Sequence, residues 1–154
     1  QLGKSVLREV DEDEFMKNIA DIRSSCGDRA VLRAMHFYGD NARVEKQAAA
    51  LKAGDFETFK KYIIESGRSS YMYNQNVYSC KKASEQPVSL ALSLSEKLLD
   101  GCGAWRVHGG GFAGTIQAFV PLNKLDEYKD LMEKVFGSGS CYILSVRPVG
   151  GVEL

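Results

Sequence analysis

The chain has 154 residues, enough for one domain with a proper core, and its 44% apolar and 26% charged residues are ordinary for a globular protein. Its 20 Lys and Arg balance 20 Asp and Glu, and no basic run occurs. This argues against nucleic acid as a partner, because phosphate-backbone affinity comes from clustered positive charge. Residues 4–10 alternate weakly, with Val6, Leu7 and Val10 apolar, and predict a first strand. Asp11 opens a helix with Glu14 in capping-box spacing; Phe15, Ile19, Ile22 and Cys26 form its apolar stripe, and Gly27 ends it. Asp28 starts a long helical run with Val31, Leu32, Met35, Val44, Ala48 and Leu51 on its apolar face and Gly39 as its weak point. Gly54 ends that run. Asp55 then caps a third helix whose inner side is Phe56, Phe59, Tyr62 and Ile63, and Gly67 stops it, giving a helical hairpin.

Residues 69–84 mix Tyr71, Tyr73 and Tyr78 with Asn74, Gln75 and Asn76. A short helix with an exposed face and an ordered loop both fit, and the mixture suits either a ligand cleft or half-buried packing. Pro87 begins a helix over Val88, Ala91, Leu92, Ser95, Leu98 and Leu99, ended by Gly101. A strand over residues 104–108, a glycine loop and a strand over 115–120 follow. Asn123 caps a helix with Leu125, Tyr128, Leu131, Met132, Val135 and Phe136 inward, residues 141–146 predict a last strand, and Pro148 to Gly151 leads out. Mostly antiparallel strands with a helix between them read as α+β. The split βαβ sandwich of ferredoxin-like domains, with a helical insertion after the first strand, fits this order. Residues 1–154 read as a single domain. The early apolar segment and the absence of an initial Met give the expectation of a piece of a longer polypeptide.

The glycine loop is the densest chemical signal. His108, Gly109, Gly110, Gly111, Phe112, Ala113 and Gly114 place four glycines in six residues. Such a loop can turn its amides toward an anion such as phosphate, or serve only as a tight connection. His108 can donate to an anion or exchange a proton, or simply be structural. Arg106 shares its strand face and suits either a phosphate or an acidic neighbour. His36, beside Phe37 and Tyr38, reads as a structural or surface histidine; Asp40 with Asn41, and residues 11–14, suggest a cation site but read more simply as caps and solvated faces. Cys26, Cys80, Cys102 and Cys141 form no C-x-x-C pair and no zinc spacing with histidine, so no metal site is expected and the thiols fit a reducing compartment. There is no G-x-x-x-x-G-K-[ST] loop and no G-x-S-x-G turn. With no long apolar run and no signal peptide, a cytoplasmic location without membrane contact is expected.

The run Gly103 to Thr115, Gly-Ala-Trp-Arg-Val-His-Gly-Gly-Gly-Phe-Ala-Gly-Thr, resembles the third, glycine-rich motif of the GHMP small-molecule kinases, most closely their galactokinase branch. Asp28 to His36 with Asn41 to Val44, Ala53 to Phe56 with Ser66, and Tyr142 to Gly150 resemble the flanking segments of that branch, so the resemblance covers nearly the whole chain. It implies a carboxyl-terminal domain of a kinase that moves the γ-phosphoryl group of ATP, with Mg2+, to the C1 hydroxyl of galactose. The ATP-binding amino-terminal domain, with the catalytic groups, is then absent from this chain and is its partner. No catalytic residue falls here, and the fragment alone is expected to be inactive. The motif's role at the phosphate and sugar site falls on Gly109, Gly110, Gly111, Phe112 and Gly114. Ala113 stands where many members have another glycine, and His108 where threonine is common. A galactose and ATP sensor without catalysis, another GHMP sugar or alcohol kinase, and a plain ferredoxin-like interaction domain are the alternatives.

Overall fold

Asp11 caps the first helix of the structure, a computed structural model that describes residues 2–112, 114–146 and 149. Its carboxylate accepts the Asp13 amide at 2.9 Å, satisfying a donor that the helix itself leaves without a partner. The expected single helix is two, α1 (Glu12–Lys17) and α2 (Ile19–Cys26). At the junction the Asn18 side chain donates to the Glu14 carbonyl at 2.8 Å; asparagine competes for backbone partners in this way. Phe15 and Ile22 are buried as the stripe predicts, with Val10, Val31 and Ala34, whereas Cys26 is exposed. The expected first strand is not formed. Residues 7–9 make a 3-10 turn instead, with Glu9 bonding to the Val6 carbonyl and Val10 to the Leu7 carbonyl, both at 3.1 Å. A lone extended segment would leave those groups without protein partners.

Helix α3 (Asp28–Lys52) runs 25 residues without a break at Gly39. Glycine costs about 1 kcal/mol against alanine inside a helix, and the Arg43 guanidinium lies over this one. Helix α4 (Phe56–Ser69) follows its predicted cap, with Asp55 accepting the Thr58 amide at 3.0 Å, and returns along α3. Ile63 is buried and Phe59 meets Phe119 edge-on at 5.3 Å, but Phe56 is exposed. A polar network crosses the α3–α4 seam. Asp40 accepts from Ser66 Oγ at 2.6 Å and from Arg43 at 2.9 Å. His36 Nδ1 lies 2.9 Å from Ser69 Oγ, and His36 Nε2 lies 3.6 Å from the Asp40 carboxylate.

Gly67 does not stop α4, as the sequence had suggested. The helix passes through it and lies against β1 (Ala104–Val107). A Cβ at Gly67 would sit 2.9 Å from Arg106 Cβ and 3.1 Å from the Trp105 carbonyl oxygen, so the missing side chain sets the helix–strand distance. β1 pairs antiparallel with β2 (Ile116–Phe119), Ala104 opposite Phe119 and Val107 opposite Ile116. Helix α5 (Pro87–Leu99) packs on both strands. Ala104, Trp105 and Val107 are buried, so both faces of β1 are covered, and Leu99, the last residue of α5, is fully buried.

The chain divides into two compact units, Gln1–Val120 and Pro121–Leu154. In the second, α6 (Leu125–Phe136) buries Tyr128 and Met132, while Val135 is exposed. Residues 141–146 form no strand, and Tyr142, Ile143, Leu144 and Val146 are exposed. Of the expected exit from Pro148 to Gly151, all but Val149 lies outside the described residues. The architecture is α+β, with two antiparallel strands among the described residues. No described helix is long and apolar enough to cross a membrane.

Two outcomes follow from this packing. Gly67→Ala gains up to about 1 kcal/mol of helix propensity but overpacks a backbone contact, which typically costs about 1–3 kcal/mol. A net loss of roughly 1–2 kcal/mol in urea unfolding is expected. His36 has its pKa lowered from 6.5, first by burial; Asp40 opposes that shift, while Arg43 and Arg106 reinforce it. The unfolded chain therefore takes the proton more readily than the folded one. This contribution to stability is complete above about pH 6.5 and declines as pH falls through the lower, folded value. His36→Asn should flatten the fall in urea midpoint between about pH 7.5 and about pH 5.5.

Candidate functional site

The antiparallel pair closes at its open end with one more bond, from His108 N–H to the Thr115 carbonyl at 3.1 Å. The six residues between must reverse the chain. Gly109, Gly111 and Gly114 take φ of 62°, 74° and 89°, values at which a Cβ would crowd the backbone. Gly110 has no such φ, and a Cβ there would meet nothing within 4 Å. Phe112 also turns left-handed, at φ 40°, and its side chain is exposed. Ala113 lies outside the described residues.

The loop is mounted on the segment that follows α4. Ser70–Asn74 forms one π-helical turn, closed by Gln75 N–H donating to the Ser70 carbonyl at 3.0 Å. Gln75 then adopts φ 51° and turns the chain inward, burying Asn76 and Val77. Asn76 meets the loop twice. Its Nδ2 donates to the Gly110 carbonyl at 3.2 Å, and its own carbonyl accepts the Phe112 N–H at 2.8 Å. Between these bonds, a Cβ on Gly111 would overlap the Asn76 carbonyl oxygen. Ser70 Oγ donates to Asn76 Oδ1 at 3.0 Å. Asn76 belongs to the polar and aromatic stretch visible in the sequence, but its partnership with the loop does not show there.

The other candidates divide between loop and seam. His108 is exposed at the start of the loop. Arg106, two residues earlier, is half-buried; its Nε donates to the Val107 carbonyl at 3.1 Å and its charge reaches His36. His36 belongs to the α3–α4 seam with Asp40, Ser66 and Ser69, as a structural histidine. Tyr71 donates to Ser89 Oγ at 3.2 Å, tying the segment after α4 to α5. Burial and Glu133 raise the Cys141 pKa, which makes that thiol a poorer nucleophile at neutral pH. Among the described residues, no cluster of His, Cys, Asp and Glu has the arrangement to hold a metal ion. What the described part of the loop presents is backbone, glycine, the exposed His108 and the exposed Phe112 ring.

No protein-family model matches the chain. Comparison with curated proteins gives galactokinases. The human enzyme is 31% identical over 153 residues, 99% of this chain and 36% of the relative. The Bos taurus galactokinase is 30% identical over 143 residues, 92% of this chain and 33% of that protein. The Mannheimia succiniciproducens galactokinase is 25% identical over 130 residues, 84% of this chain and 32% of its own length. The chain thus spans about a third of the length of the relatives it matches. Over nearly all of its residues, this chain is related to the galactokinases.

Proposed function

We propose that the chain is the carboxyl-terminal part of a galactokinase, an enzyme that transfers the γ-phosphoryl group of ATP to the C1 hydroxyl of galactose. The observation that carries this reading is the relationship to galactokinases along 99% of the chain. The ATP-binding region, with Mg2+ and the catalytic groups, belongs to an amino-terminal half of the same polypeptide, which is the partner of this part. Galactose and MgATP are then ligands of the two halves together, and the cytoplasm is their place of work.

Within that enzyme, the loop from His108 to Gly114 is the glycine-rich element beside the phosphate and sugar. Phosphoryl transfer depends on positioning and on stabilising spread negative charge more than on covalent chemistry from the protein. A backbone without side chains lets donors approach that charge closely, and their fixed geometry removes the cost of reorganising them during reaction. The exposed Phe112 ring shields such a site from water when the amino-terminal half closes over it. The same half completes the ferredoxin-like split βαβ arrangement. Residues 141–146 become a strand when the rest of the protein supplies their surroundings, and the exposed Tyr142, Ile143, Leu144 and Val146 support this.

Gly110 separates this reading from a loop that serves only as a turn. A Cβ there meets no protein atom within 4 Å, so Gly110→Val should leave thermal stability nearly unchanged. In the full-length protein with MgATP and galactose, the added side chain should hold the phosphates away from the loop amides and lower ADP formation by about 100-fold or more, the scale of one lost donor contact. Undiminished turnover in the variant would leave the loop a plain connection. Bound MgATP and galactose without any turnover in the unaltered protein would identify a sensor, and phosphorylation of a different alcohol in place of galactose would identify another kinase of the superfamily.

A further inference from the structure

We infer that Asn76 is the positioning residue of the glycine loop, holding residues 110–112 in the shape that receives the phosphate groups of a nucleotide. This rests on the reading of the loop as nucleotide-facing. Asn76 is 4% exposed, yet both partners that it grips in the loop, Gly110 and Phe112, are exposed. The clamp therefore fixes a surface contour and adds little to the core. Its two bonds fall on either side of Gly111, from Nδ2 to the Gly110 carbonyl at 3.2 Å and from the Phe112 N–H to the Asn76 carbonyl at 2.8 Å. A segment held at both ends, with its middle residue in contact, has little freedom to slide.

The amide orientation is set from the other side. Ser70 Oγ donates to Asn76 Oδ1 at 3.0 Å, which makes Oδ1 the acceptor and leaves Nδ2 as the group that faces Gly110. Backbone strain converges on the same place. Gln75 and Phe112 are the non-glycine residues with positive φ, 51° and 40°, among those described. One precedes Asn76 and the other is bonded to it. Left-handed backbone at such residues persists where surrounding contacts over-determine it, and it concentrates at ligand sites. The π-helical turn at Ser70–Asn74, a feature also frequent at functional sites, delivers Asn76 to this position.

The test uses the full-length protein and two variants. Asn76→Asp keeps the shape but replaces the donor by an acceptor, and protonation of that carboxyl restores a donor. Asn76→Leu has neither donor nor charge. Both should lose about tenfold or more in kcat/KM for MgATP at about pH 8, with KM for galactose within about twofold of the unaltered protein. Only Asn76→Asp should recover, relative to the unaltered protein, as pH falls toward about 6. A merely structural asparagine would instead lose kcat/KM for MgATP and for galactose together. Asn76→Leu within about twofold of the unaltered protein in kcat/KM for MgATP overturns the inference.

A second readout stands apart from galactose chemistry. MgATP should slow amide exchange across residues 109–112 in the unaltered protein and fail to do so in Asn76→Leu. Equal slowing in both, or none in either, overturns the role of Asn76. Absence of galactose phosphorylation together with selective loss of this protection would instead overturn only the proposed reaction.

Discussion

Helix α4 can lie on strand β1 only because Gly67 has no side chain. Arg106 Cβ and the Trp105 carbonyl occupy the space that a methyl group would need. That contact sets where the end of α4 arrives, and the chain beyond α4 inherits its position. Ser66 and Ser69, on either side of Gly67, reach Asp40 and His36 across the helical seam. Ser70 begins the turn that carries Asn76 to the glycine loop. The loop in turn springs from β1, the strand against which Gly67 is pressed. One absent side chain thus brings two segments distant in sequence to a common place.

The polar seam and the glycine loop differ sharply in composition. The seam joins a half-buried histidine to a carboxylate, an arginine and two serine hydroxyls. Its groups satisfy one another, and burial lowers the His36 pKa, favouring the neutral imidazole. Arg106 belongs electrostatically to both regions, since its backbone is part of the strand leading to the loop and its charge is felt by His36. The loop is otherwise an assembly of peptide groups. An arrangement of this kind depends on its supports for its shape.

Most local signals are legible in the sequence, but Asn123 is not the cap of α6, which has Lys124 before its first residue. Asp11 and Asp55 cap helices as their spacing indicates, Pro87 opens α5, and the strands flanking the glycines pair as neighbours. Several of the failures originate in partners remote in sequence. Gly67 resembles a helix terminator because glycine often is one, but its role is decided by Trp105 and Arg106. Asn76 looks like one polar residue among several, and only folding brings it to Gly110. Residues 4–10 and 141–146 carry strand-like patterns, yet a strand exists through its neighbours, and the first of these segments closes local turn bonds instead. The glycine loop itself was legible as an unusual run, whereas its mounting was not.

The contact between Gly111 and Asn76 is asymmetric in a way that bears on how this sequence can drift. A Cβ at position 111 collides with the Asn76 carbonyl oxygen, which belongs to the main chain. Shortening the side chain at 76 therefore leaves that collision in place, and no compensating exchange there can open room at 111. Position 76, by contrast, could trade its amide for other groups while Gly111 stays. The constraint on position 111 is therefore independent of the side chain at 76, and sequence drift at 76 leaves glycine at 111 obligatory.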